Sequence, residues 1–265
     1  MTELTIAGAP LAVYDEGAGT PLVLLHGFCE DSSIWEPYFP VLSENFRVVR
    51  IDLPGFGNSP ARANCSIADM ADLVAEAWAQ LELPAGVLIG HSMGGYAAVA
   101  FAKKYSDRLL GLGMFHSQPF EDTPEKKAGR QKGIDFIKQH GTVLFVKQLI
   151  PNLFAPNFPK SNRFLIERLT LQAIQYPAAG IINGLQAMKD RPDNSEVLKQ
   201  VSCPVLFIIG KEDTAIPPTA SVEQTHLPDV ADIHILERIG HMGMWEAKRD
   251  TLRIVRKFVE DCQSR

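Results

Sequence analysis

Gly90-His91-Ser92-Met93-Gly94 spells G-x-S-x-G where an apolar run ends and a helical pattern begins. A serine on so sharp a strand-to-helix turn has its hydroxyl lifted clear of the backbone, and the flanking glycines remove Cβ atoms that would collide there. Such a hydroxyl is a weak nucleophile at neutral pH: it needs a general base, itself oriented by a carboxylate. Both partners are expected C-terminal to the serine. His241, in Gly240-His241-Met242-Gly243 after the last strand candidate, is the expected base. For the acid, Asp213 follows the run Val205–Gly210, with the adjacent Glu212 read as a solvated loop charge; Glu121 and Asp122, after the run Leu109–Phe115, are its rivals. Acyl transfer also creates a negative oxygen. The backbone amides of Met93, beside the serine, and Phe28, in His26-Gly27-Phe28 after the run Leu22–Leu25, are the expected oxyanion donors. His26 is expected to fix that loop by hydrogen bonding.

Short apolar runs alternating with amphipathic stretches position these residues, the pattern of a mostly parallel sheet covered on both faces. Leu4–Ile6 and Leu11–Tyr14, separated by Ala7-Gly8-Ala9-Pro10, predict an edge hairpin. Leu22–Leu25, Phe46–Ile51, Gly86–Ile89, Leu109–Phe115 and Val205–Gly210 lack clean polar alternation, as doubly covered strands should, and Ala231–Leu236 adds one more. Ser66 is placed to cap a helix in which Ile67, Met70, Val74, Trp78 and Leu81 form one apolar stripe. Further helices are expected over Ile34–Leu42, Met93–Tyr105 and Trp245–Val259. The alternation stops between His116 and Gln200, where helical patterns follow one another: Glu125–His140, Thr142–Ile150 and two more after Ser161 and Pro177. The expected division is a core of residues 1–115 and 201–265, with residues 116–200 a helical cap between two strands.

Composition narrows the function classes. With 46% hydrophobic and 22% charged residues, the 265-residue chain is compositionally globular, which argues against disorder. A net charge of −5 does not suit a phosphate backbone, so no nucleic-acid partner is expected. Residues 116–200 nevertheless carry more Lys and Arg than Asp and Glu; if those charges line an entrance, they favour an anionic substrate. The longest apolar runs fall far short of the ~20 residues of a membrane span. The N-terminus has neither the basic nor the apolar region of a secretory signal, and Cys29, Cys65, Cys203 and Cys262 are widely spaced, so reduced thiols and a cytoplasmic location are expected. Gly55-Phe56-Gly57-Asn58-Ser59-Pro60 starts like a dinucleotide fingerprint but ends in proline; there is no H-E-x-x-H and no Cys/His cluster, so neither cofactor nor metal is expected. Met244 and Trp245 read as core or pocket wall.

In the order Ser92, Asp213, His241 these residues resemble the α/β-hydrolase superfamily. The likeness covers about two-thirds of the chain and includes Asp52-Leu53-Pro54-Gly55-Phe56-Gly57-Asn58-Ser59, similar to a D-x-P-G-x-G-x-S loop, and Pro204 to Asp213, similar to the strand that carries the family acid. It implies an α/β fold with a doubly wound sheet and an all-helical cap. Ser92 stands where haloalkane dehalogenases and epoxide hydrolases of this fold place Asp, His26-Gly27-Phe28 replaces the glycine run of larger lipases, and Tyr96 follows Gly94-Gly95 where menaquinone-pathway lyases typically have Arg. The resemblance therefore implies a small capped serine hydrolase acting on an ester, lactone or thioester of a small molecule through an acyl-Ser92 intermediate. Its alternatives are a C–C bond hydrolase on the same triad and a ligand receptor with negligible turnover, because the fold alone does not settle function.

Overall fold

A computed structural model describes residues 2–264. Eight strands, β1 (Thr2–Ile6), β2 (Ala9–Glu16), β3 (Pro21–Leu25), β4 (Arg47–Ile51), β5 (Gly86–His91), β6 (Leu109–Phe115), β7 (Val205–Gly210) and β8 (Ala231–Leu236), form one sheet in the order β1-β2-β4-β3-β5-β6-β7-β8. β1 and β2 form the expected hairpin and β2 runs antiparallel to β4; every other pairing is parallel. Every residue of β3, β5 and β7 is buried, which explains their unbroken apolar runs: helices cover both faces. β8, at the edge, alternates between exposed and half-buried positions instead.

α1 (Ile67–Gln80) starts at Ser66 with a reciprocal capping box: the Asp69 amide donates to Ser66 Oγ at 3.1 Å, and the Ser66 amide to Asp69 Oδ2 at 2.8 Å. Such a cap stabilises a helix start by about 1 kcal/mol. α2 (Met93–Tyr105) leaves β5 directly and buries nearly its whole length. Two expected helices are broken where their periodicity runs on. Ile34–Leu42 divides into a 3₁₀ turn (Ser32–Trp35) and a single turn (Phe39–Leu42), because Pro37 and Pro40 lack amides to continue one ladder. Trp245–Val259 breaks at Ala247 (φ −133°, ψ 43°), with the turn Gly243–Glu246 before it. The last helix is numbered α7 (Lys248–Gln263).

Between β6 and β7, among the described residues, the chain is helical throughout its regular elements: α3 (Pro124–His140), α4 (Thr142–Asn152), α5 (Arg163–Ile174), α6 (Ala178–Asp190) and two shorter pieces, Phe158–Ser161 and Ser195–Gln200. This segment docks on the sheet through named contacts. Gly180 in α6 meets Gly55, in the loop after β4, backbone to backbone, so that a Cβ on either would collide with the other's main chain. Asp31 Oδ2 accepts from Gln172 Nε2 (2.6 Å) and the Tyr176 hydroxyl (2.8 Å), and Asn183 donates to Cys65 O at 2.8 Å. No described helix is long and apolar enough to cross a membrane.

Candidate active site

The carboxyl ends of β3, β5, β6, β7 and β8 come together at one edge of the sheet, where loops of an open α/β sheet form binding sites. Ser92 lies there between β5 and α2 with φ 49° and ψ −113°, a conformation that costs a non-glycine residue on the order of 1–3 kcal/mol. Hydrogen bonds hold it there. Its amide donates to Phe115 O (3.1 Å), and its carbonyl accepts from the Gly95 amide (2.9 Å) and the Ser117 hydroxyl (2.8 Å). The glycines are required by close approach: a Cβ on Gly94 would lie 2.5 Å from His26 O and 2.7 Å from Leu25 O.

His241 Nδ1 faces Asp213 Oδ2 at 2.7 Å, and both side chains are buried. The other Asp213 oxygen accepts from the amides of Ala215 (2.9 Å) and Ile216 (2.8 Å). Burial would raise the Asp213 carboxyl, but His241 and the Ile216 amide hold it below its ordinary value. Burial likewise opposes charging His241, yet the carboxylates of Asp213, Glu30 and Glu246 outweigh it and raise the imidazole above its ordinary value of 6.5. The rival acids lie elsewhere. Glu121 is exposed and pairs with Lys127 at 2.5 Å; Asp122 is buried between Arg130 and Arg191; Glu212 is half-buried and its amide donates to Ile239 O.

A cavity of about 330 Å³ brings Ser92 and His241 together with Phe28, Glu30, Tyr96, and Lys126 and Arg130 of α3. With Asp213 on Nδ1, the Nε2 edge of His241 is left for this space. The His26-Gly27-Phe28 loop reaches it from β3: a Cβ on Gly27 would sit 3.1 Å from Ser92 Cβ. His26 Nδ1 donates to Gly27 O (2.7 Å) and its Nε2 accepts from the Leu53 amide (2.8 Å), fixing the loop to the chain beyond β4. The Met93 amide stands in the first turn of α2, where a helix leaves its amides without intrahelical acceptors.

Three residues that motif reading passes over hold this arrangement, and a fourth, His116, is buried beside it. Glu30 Oε2 accepts from the Gly27 amide (2.7 Å) and His91 Nδ1 (2.8 Å), while His91 Nε2 donates to His241 O (2.9 Å). The Glu30–His91 contact thus joins the base's loop to the Phe28 loop through one buried pair. Glu246 accepts from the amides of Ala155 (2.8 Å), Gly240 (3.2 Å) and Met242 (3.1 Å), and the His241 amide donates to Leu153 O (2.7 Å). His116, at φ 47° after β6, points Nδ1 towards Asp213 at 3.6 Å; burial drives its imidazole down to about 3, so it stays neutral. The signals are thin. His91 is inside the motif and Glu30 three residues past Gly27, but His91 is 150 positions from His241.

The sequence profile of the alpha/beta hydrolase family matches residues 22–253, and the chain belongs to that family. It is 29% identical over 249 residues to the biotin biosynthesis bifunctional protein BioHC of Cellvibrio japonicus, covering 90% of this chain but spanning 47% of that protein. It is 28% identical over 269 residues to a 2-hydroxy-6-oxononadienedioate/2-hydroxy-6-oxononatrienedioate hydrolase of Burkholderia vietnamiensis, 95% of this chain and 92% of that one. Among solved structures, a thermophilic esterase from Thermogutta terrifontis with malate bound superposes with a TM-score of 0.92 at 29% identity, over 98% of each chain.

Proposed function

We propose that this protein is a serine hydrolase of small esters, lactones or thioesters, with Ser92 as nucleophile, His241 as base and Asp213 as the carboxylate that orients it. The observation that carries this reading is the 2.7 Å His241–Asp213 contact beside a cavity that also holds a strained, hydroxyl-bearing Ser92. In the reaction, Ser92 Oγ attacks the substrate carbonyl carbon while His241 Nε2 takes its proton. The resulting oxyanion is held by the Phe28 and Met93 amides. Collapse expels the alcohol, protonated by His241, and leaves acyl-Ser92. Water, deprotonated by the same imidazole, then attacks the acyl carbon and returns Ser92 with its proton. On this reading residues 116–200 act as a cap over the core formed by residues 1–115 and 201–265, closing the substrate's cavity with α3 and α4.

The likeness to a thermophilic esterase supports ester hydrolysis. The Burkholderia relative favours a second reading, cleavage of a carbon–carbon bond in a dienoate-type ketone by the same residues. A fluorophosphonate should label Ser92 stoichiometrically, and Ser92→Ala should abolish both labelling and turnover. Labelling elsewhere, or wild-type turnover by Ser92→Ala, overturns the proposal. A panel of p-nitrophenyl esters, lactones and dienoates decides between the two chemistries.

A further inference from the structure

Lys126 and Arg130, one turn apart on α3, line the same cavity as Ser92 and His241. Asp122 is shared between Arg130 and Arg191, and among the described residues no carboxylate lies within ion-pair distance of Lys126, although Asp122 and Asp213 act on it from farther off. Glu30, the acid on the opposite side, is engaged by His91 and the Gly27 amide. Lys126 Nζ donates to Ala215 O at 3.1 Å, a contact that engages one of its three hydrogens. Arg130 Nη1 faces the Met188 sulfur at 3.3 Å, a weak acceptor. Burial, with Arg130 and Arg191 beside it, pulls the Lys126 ammonium below its ordinary value against the carboxylates of Asp122 and Asp213. A half-buried ammonium in this setting gains from an added anion.

We infer that Lys126, assisted by Arg130, forms an anion subsite in this cavity, and that the substrate carries a carboxylate apart from the carbonyl that Ser92 attacks. The inference rests on the hydrolase reading above and specifies its substrate class. A carboxylate on Lys126 forms charge-assisted hydrogen bonds in a partly desolvated site and holds the substrate by the end that does not react. The bland role for Lys126 is a strut from α3 to the Ala215 carbonyl, which predicts no preference for charge.

The test compares kcat/KM for monomethyl adipate and its neutral isostere methyl 6-methylheptanoate, following methanol release. Each protein is scored by the ratio of the two values, so differences in folded fraction cancel. The wild type should favour the anion by about tenfold or more, as expected for hydrogen bonds to a charged group. Lys126→Met should cut that ratio about tenfold, Lys126→Arg should retain most of it, and raising salt from about 20 to 500 mM should reduce it in the wild type. A wild-type ratio near one, a ratio indifferent to Lys126→Met, or a preference that salt leaves untouched overturns the inference. The two failures are separable: wild-type hydrolysis by Ser92→Ala sinks the hydrolase reading, whereas equal, Ser92-dependent hydrolysis of both esters sinks the subsite alone.

Discussion

Replacing Asp213 with Asn tests the proposed chemistry with almost no change in shape. One Asp213 oxygen accepts from two backbone amides, Ala215 at 2.9 Å and Ile216 at 2.8 Å, and the other faces His241 Nδ1 at 2.7 Å. An asparagine has one oxygen, and the two amides claim it. Its NH₂ group must then face His241 and donate to Nδ1, which puts the imidazole proton on Nε2. An Nε2–H cannot take a proton from Ser92. The expected loss in kcat is as much as ~10⁴-fold, the size of the same change in a serine protease, or about 5.4 kcal/mol of transition-state stabilisation. Steady-state kcat on a neutral p-nitrophenyl ester measures it, with the melting temperature as a control for folding. Asp122→Asn, by contrast, weakens the ion pairs to Arg130 and Arg191 and should act on the melting temperature more than on kcat. A kcat for Asp213→Asn within about tenfold of wild type, with the large loss in Asp122→Asn or Glu121→Gln instead, would refute the assignment of the acid.

Because the carboxylates around His241 hold its imidazole above 6.5, kcat/KM should rise with pH along a limb above that value, as the imidazolium loses its proton. Glu30→Gln removes one of those carboxylates and should move the limb to lower pH; a limb that stays put or rises counts against the network. Gly180→Ala drives a Cβ into the backbone of Gly55 and should cost about 1–3 kcal/mol, read as a lower melting temperature. Tyr176→Phe deletes the 2.8 Å bond to Asp31 and should cost on the order of 1.5–3 kcal/mol in a denaturation midpoint, whereas no change would make this contact incidental.

The parallel strands were legible because burial on both faces leaves an apolar run in the sequence whatever the neighbouring strand is, as in β3, β5 and β7. Ser92, Asp213 and His241 could be picked out as candidates because each follows a strand, and a strand's end is a local property. Asp213 could not be separated from Asp122 by that logic, since both follow strands; what differs is the partner, an imidazole 28 residues away for one and guanidiniums for the other. Glu30 and His91 went unread because their meaning lies in a pairing across 61 positions. Helix ends were misjudged where apolar spacing outran backbone chemistry, at Pro37, Pro40 and Ala247.

The segment from Leu153 to Ala155, which belongs to the helical insertion, grips the loop of the proposed base by two hydrogen bonds from its backbone: Leu153 O receives the His241 amide, and the Ala155 amide donates to the same Glu246 carboxylate that holds Gly240 and Met242. Insertion and proposed base are thus one mechanical part at this point. A gate that swung away as a whole would carry off the scaffold of His241 with it and leave the chemistry disarmed while the cavity stood open. On the proposed hydrolase chemistry, admission of substrate has to spare residues 153–155, with any yielding confined to the far side of the insertion, and a protein opened at 153–155 would be inert towards water as well as towards substrate.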